Sequence, residues 1–290
     1  MSRTSSGVAR TARIRLVREP YGWPALLVAG GLLSLAAPAF SSPLDVLPWV
    51  AVQGLSALAV VAGIRRHGLG DRWPWRLLAA GSVTNWLTTV LVWAVGWVWL
   101  EIPGAMRLYN GLVVVCYSFA LLALVLLSRE HSESPRAALL DSSIITVGVT
   151  MPFWAFFVDP LLGRSAFSGV ELAFALATSV IDLFLFGLVT RMGLARGRAP
   201  WLLLLGGAQG ALFTADGLRL LDLAAGRPSG PGTTAAWLLA SVLVGAAALH
   251  PSTADGAPVS SDVSTRVRGV AFLALALLGP LTAGAGLLLT

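Results

Sequence analysis

The side chains able to do chemistry in this sequence stand where charge is costly. Asp182 lies inside the apolar run ELAFALATSVIDLFLFGLVTR, and Asp216, Arg219 and Asp222 occupy the second half of WLLLLGGAQGALFTADGLRLLDL. A charged group at bilayer depth costs about 2.5–3.5 kcal/mol on insertion scales unless it is paired or faces the protein interior. Asp182 therefore reads in one of two ways. It is a protonated or hydrogen-bonded carboxyl that ties helices together, or a ligand- or proton-sensing group in a polar pocket. Asp216 and Arg219 are three residues apart and can meet on one helix face, as a structural ion pair or as part of an outward-facing pocket. Asp222 falls at the surface. Gln53, Asn85, Asn110 and Gln209 can add interhelical hydrogen bonds, typically worth about 0.6 kcal/mol each.

Catalytic patterns do not appear. The three histidines, His67, His131 and His250, fall at the ends of apolar runs, without HxxxH or HExxH spacing. There is no P-loop and no GxSxG elbow. Cys116 is the only cysteine, so neither an intrachain disulfide nor a cysteine-based metal site can form. The expectation is a protein that is not an enzyme and carries no cofactor or metal.

The elements that must position these groups are transmembrane helices. Only 12% of the 290 residues are charged, against about 25% in soluble domains, and the mean hydropathy is +0.79. Apolar runs near 21–40, 46–64, 75–100, 107–128, 139–159, 169–191, 200–222, 232–250 and 267–290 are each long enough to cross roughly 30 Å of hydrocarbon. The expected fold is an all-α, polytopic transmembrane helical bundle of about nine spans. A basic cytoplasmic tail over 1–20 precedes a multi-pass domain over 21–290. The tail resembles a signal-peptide flank, but the first run is longer than a signal core and no A-x-A site follows it.

All 20 basic residues are arginines, and their placement sets the orientation. Nine spans put fifteen arginines on the side of the N-terminal tail and the 65–74, 129–138, 191–199 and 250–268 loops. Only Arg164 and Arg227 lie in the loops of the other side. Cytoplasmic loops carry the arginine excess, so the N-terminus is expected inside the cell membrane. The same placement makes anionic lipid, and not nucleic acid, the partner of the positive charge.

Proline and glycine punctuate these runs. Pro152 and Pro280 should kink the fifth and ninth spans. Gly206 and Gly210 form a small-xxx-small pair for close helix approach or, as a lesser option, a homodimer contact. Asp141 and Glu171 are read as caps opening the fifth and sixth spans. At an offset of 126 residues, Trp75, Leu77, Leu78, Gly81 and Thr88 align with Trp201, Leu203, Leu204, Gly207 and Thr214, as in a parallel internal repeat.

The run AALHPST (Ala247–Thr253), with LLLLGGAQGALFTADGL before it, resembles the N-terminal multi-pass membrane region of actinobacterial signalling proteins. LDSSIITVGVTMPFWAFFVDPLL, VIDLFLFGLVTR and VVVCYSFALLAL extend the likeness over roughly 75–285. In that family the region precedes GGDEF and EAL domains, which make and degrade cyclic di-GMP. The resemblance implies an input module that senses or anchors, and it adds Tyr117 to Asp182, Asp216 and Arg219 as candidate intramembrane sensing residues. One departure is Ser179-Val180, where the family has Tyr-Pro. The sequence carries no GGDEF or EAL segment, and nine spans would leave Thr290 on the outer face. It is expected to act without catalysis, through a cytoplasmic signalling partner. The alternatives are a small transporter, which the repeat and Asp182 would suit, and an uncharacterised structural membrane protein.

Cysteines placed singly in a Cys116→Ala background test the orientation. In intact cells Ser132→Cys should be protected from a membrane-impermeant thiol reagent and Ser165→Cys should react. The reverse pattern overturns the span count.

Overall fold

The computed structural model describes residues 22–40, 42–130, 135–159, 169–196 and 199–254. Among these the chain forms eight long helices: α1 (Gly22–Ala36), α2 (Val46–His67), α3 (Trp73–Thr88), α4 (Ala105–Glu130), α5 (Pro135–Phe153), α6 (Gly169–Arg196), α7 (Pro200–Ala224) and α8 (Pro231–Leu249). Six stretches are long and apolar enough to cross a bilayer, over α1, α2, α3 with its extension, α4, α6 and α8. This is a helical membrane protein. The ninth predicted span, with Pro280, lies outside the described residues.

Two helices change pitch. Helix α3 runs into a π-helical segment at Thr89–Trp99, and α5 does so at Trp154–Val158, directly after Pro152. Proline offers no N–H to the turn before it, so widening the next turn re-seats the following carbonyls. The π-helical turns thus fall directly after Pro152, where the sequence predicts a kink. Helix α5 also begins at Pro135, six residues before Asp141, so Asp141 does not open it.

The helices close into a ring in which α2, α3, α4, α6, α7 and α8 each pack on the next, and α8 returns to α2. Helix α1 lies outside against α2 and α8, and α5 lies outside against α6. At the arginine-rich end, the turns around residues 67–73, 199–201 and 250–253, the ring is filled by apolar side chains. Val60, Ile64, Trp75, Leu124, Leu127, Leu188, Met192, Trp201 and Leu205 are buried there in one cluster. Trp75 and Trp201, which open α3 and α7, meet at 6.0 Å between ring centroids.

Close approach of helices occurs where the glycine pair did not place it. A Cβ at Gly210 would meet nothing within 4 Å, and one at Gly206 would make only ordinary contact with Val189, 3.6 Å away. The tight seam is α2 on α8. A Cβ at Gly63 would overlap the Ala248 carbonyl, and one at Gly245 would stand 3.0–3.1 Å from Leu26, Ala59 and Ser56. Backbones this close leave no space for a side chain, which is how small residues join membrane helices.

Two alanine substitutions separate these positions. Gly63→Ala should lower stability in detergent by about 1–3 kcal/mol, because backbone must move. Gly210→Ala should be neutral or stabilising by up to about 1 kcal/mol through helix propensity. Equal losses at both positions would contradict the α2–α8 seam.

Candidate functional site

Four of the ring helices bring polar groups to one point. Asp182 stands midway along α6 with no exposure to solvent, and Asp216 on α7 retains 7%. Their carboxyls lie within hydrogen-bond range of each other. The Tyr117 hydroxyl, from the middle of α4, donates to Asp216 Oδ2 at 3.1 Å, and the indole N–H of Trp237 on α8 donates to Asp216 Oδ1 at 2.5 Å. Gln209 on α7 gives its amide to Asp182 Oδ1 at 3.2 Å and to the Asp182 carbonyl at 3.4 Å. Asp182 Oδ2 is buried and receives no donor.

Three of the four candidate residues therefore converge: Asp182, Asp216 and Tyr117. Arg219 does not supply the bonds at Asp216. Both Asp216 oxygens are taken by groups from α4 and α8, in place of the same-helix ion pair that the spacing allows. Helical geometry explains this. Residues three apart share a face, but the face that turns into the ring at Asp216 meets donors from other helices first. Trp237 is the residue the sequence reading missed. Nothing local to it in the sequence marks a carboxylate partner 21 residues away.

A second polar chain adjoins the first. The hydroxyl of Thr89, fully buried where α3 turns π-helical, donates to Gln53 Oε1 on α2 at 2.6 Å, with the phenol of Tyr109 on α4 close by. Aromatic rings link this chain to the carboxyl pair. Trp49 meets Trp93 edge-on at 5.5 Å and Trp237 at 5.9 Å, and Trp93 meets Tyr109 at 6.3 Å. Tilted and edge-to-face contacts of this kind exploit the ring quadrupole while the indole N–H stays free to donate.

Asp222 and the AALHPST motif organise helix ends. Asp222 Oδ2 accepts from the Gly230 N–H at 2.7 Å and the Thr233 hydroxyl at 3.1 Å, so it caps the start of α8 from the end of α7. Its other oxygen meets the exposed Arg227 at 3.4 Å. Asp222 is thus half-buried and structural. At the opposite end the Ser252 hydroxyl accepts from the Trp201 N–H at 3.3 Å, in the opening turn of α7. His250 holds Ser252 in place through its Nδ1, which accepts the Ser252 N–H at 3.1 Å, and its ring lies 4.8 Å from Trp23. Partial burial, with His67 nearby, pushes the His250 imidazole below its usual range, so the neutral ring is favoured.

An apolar groove of about 330 Å³ opens between α6 and α7. Gly193, Gly206 and Gly207 leave it room, and Gln209 forms its polar wall with Thr190. The same Gln209 is bonded to Asp182, so one side chain touches both the groove and the carboxyl pair.

Comparison with family models, curated proteins and solved structures finds no match to this chain.

Trp237→Phe should cost about 0.6–1.7 kcal/mol of stability in detergent, the range for interhelical side-chain bonds in membrane bundles. Combined with Asp216→Asn, the loss should fall short of the sum, since both changes remove one interaction. Strict additivity would show that the indole and the carboxylate are not coupled.

Proposed function

We propose that this chain is a membrane-embedded input module of a bacterial signalling system. It senses or anchors, and it works without catalysis of its own. The observation that carries this reading is the enclosed carboxyl pair, which joins α4, α6, α7 and α8 through Tyr117, Asp182, Asp216 and Trp237. A polar junction shared by four helices is sensitive to any group that changes its bonding. A change there would be felt at the arginine-rich end through the rigid apolar packing of the same helices. The resemblance to the membrane region that precedes cyclic di-GMP domains supports the reading from the sequence side, and cyclic di-GMP enzymes would be its partners. In this account the N-terminus is cytoplasmic, the chain makes nine crossings of the cell membrane, and the Trp75–Trp201 contact joins corresponding ends of a parallel repeat.

A small transporter is the competing class. Transport would require a wetted path to Asp182 as the bundle alternates. Among the described residues Asp182 has no exposure to solvent, and the groove between α6 and α7 reaches Gln209.

The test uses the full chain in a host with its own cyclic di-GMP enzymes. Its expression should shift cellular cyclic di-GMP at least about two-fold, and Asp182→Leu at equal membrane abundance should abolish the shift. Unchanged nucleotide levels together with Asp182-dependent solute uptake into proteoliposomes would overturn the input-module reading in favour of transport. Cyclic di-GMP synthesis by the purified chain would refute the absence of catalysis.

A further inference from the structure

The geometry points to a single bound proton between Asp182 and Asp216, held as a carboxylic acid–carboxylate hydrogen bond that joins α6 to α7. A count of donors leads to it. Carboxylate oxygens only accept, so two carboxyls within hydrogen-bond range require one hydrogen between them. Every other oxygen of the pair is supplied. Trp237 serves Asp216 Oδ1, Tyr117 serves Asp216 Oδ2, and Gln209 serves Asp182 Oδ1. Asp182 Oδ2 alone is buried without a donor. A buried polar atom in that condition costs stability unless a proton or ion fills the position.

The neighbours favour a proton over a metal ion. The groups facing the pair are the phenol of Tyr117 and, beyond it, that of Tyr109 from α4; Thr178 from α6; Gln209 from α7; and the Trp237 indole from α8. From α5, Thr146 bonds the adjacent Leu183 carbonyl. Arg219 stands one turn along α7 from Asp216. Tyr117, Trp237 and Gln209 each present a hydrogen to a carboxyl oxygen, and hydrogens aimed inward suit a proton-bridged acid pair better than a cation's shell.

Loss of the proton would leave two negative charges at hydrogen-bond range in apolar surroundings, a repulsion that drives α6 and α7 apart. The groove between those helices, with Gln209 at its wall, would be the route of exchange. The assignment is independent of the input-module reading, since the donor count is the same in a sensor, a transporter or a structural bundle.

Infrared spectroscopy of the purified full chain in nanodiscs tests this. At neutral pH the wild type should show one protonated-carboxyl C=O band that shifts down in heavy water. Asp182→Asn and Asp216→Asn should each lose it, because the introduced amide supplies the missing hydrogen. Tyr117→Phe, which removes a donor and leaves both carboxyls, should keep the band at a shifted frequency. This keeps the idea testable if an Asn variant does not fold. Absence of the band from the wild type, or its survival in both Asn variants, overturns the assignment. Loss of the wild-type band on adding sodium chloride but not choline chloride also overturns it, and makes the pair a sodium site.

Discussion

The contact between two carboxyls on neighbouring helices is the constraint that the rest of this bundle satisfies. Like-charged groups repel strongly where water is excluded, so Asp182 and Asp216 can face each other only if donors surround them. The donors come from helices around the ring: Tyr117 from α4, Gln209 from α7, Trp237 from α8. Were one withdrawn, the desolvated oxygen it leaves would have no water to turn to. Polar contacts in a membrane bundle are individually modest, but here several depend on a common pair of atoms and must form together.

The two ends of the ring divide the labour. Packing at the arginine-rich end is almost wholly apolar, with Trp75 and Trp201 set against Leu127, Leu188 and Met192. Polar and aromatic groups gather toward the other end, where the bonded Gln53 and Thr89 stand with Tyr109 beside Trp49, Trp93 and Trp237. The π-helical stretch of α3 belongs to this second half. It begins at Thr89, the residue whose hydroxyl reaches Gln53, and widened turns of this kind commonly mark functional positions. One half thus has few alternative arrangements, and the other has hydrogen bonds that a proton or ligand can exchange.

Much of the scaffold was legible because apolar length is a one-dimensional property. Eight of the predicted runs coincide with helices to within a few residues, six of them long and apolar enough to cross a bilayer, and the two interior carboxylates stood out by their cost. What the chain alone could not display were relations between helices. Asp216 and Arg219 share a helix, so their spacing was visible, whereas Tyr117 lies 99 residues from Asp216 and Trp237 lies 21. The glycines illustrate the same limit. Gly206 and Gly210 advertise themselves along one helix, yet Gly206 borders a groove, while the true seam joins Gly63 and Gly245 across two helices. The start of α5 was misplaced for a different reason. Asp141 resembles a cap, but Pro135 is equally suited to the first turn and lies earlier in the chain.

The helix ends explain how so costly a centre is kept in register. Every helix begins with N–H groups that nothing within it accepts, and at a membrane boundary those groups either meet water or are capped. Here α7 and α8 are capped by residues from beyond their own starts. Ser252, after α8, accepts from the opening turn of α7, and Asp222, near the end of α7, accepts from Gly230 and Thr233 at the opening of α8. The hairpin is therefore pinned at both ends by reciprocal bonds. Sliding α8 along α7 would break both caps before it could separate Trp237 from Asp216. With that slide blocked, the motion left to the pair is separation of α6 from α7, along the side where the groove lies and where Gln209 bonds Asp182 across the two helices. A change in bonding at Asp182 would thus act on α6 first, and through α6 on Arg191, whose guanidinium holds Ser128 of α4 at 2.7 Å near the arginine-rich end.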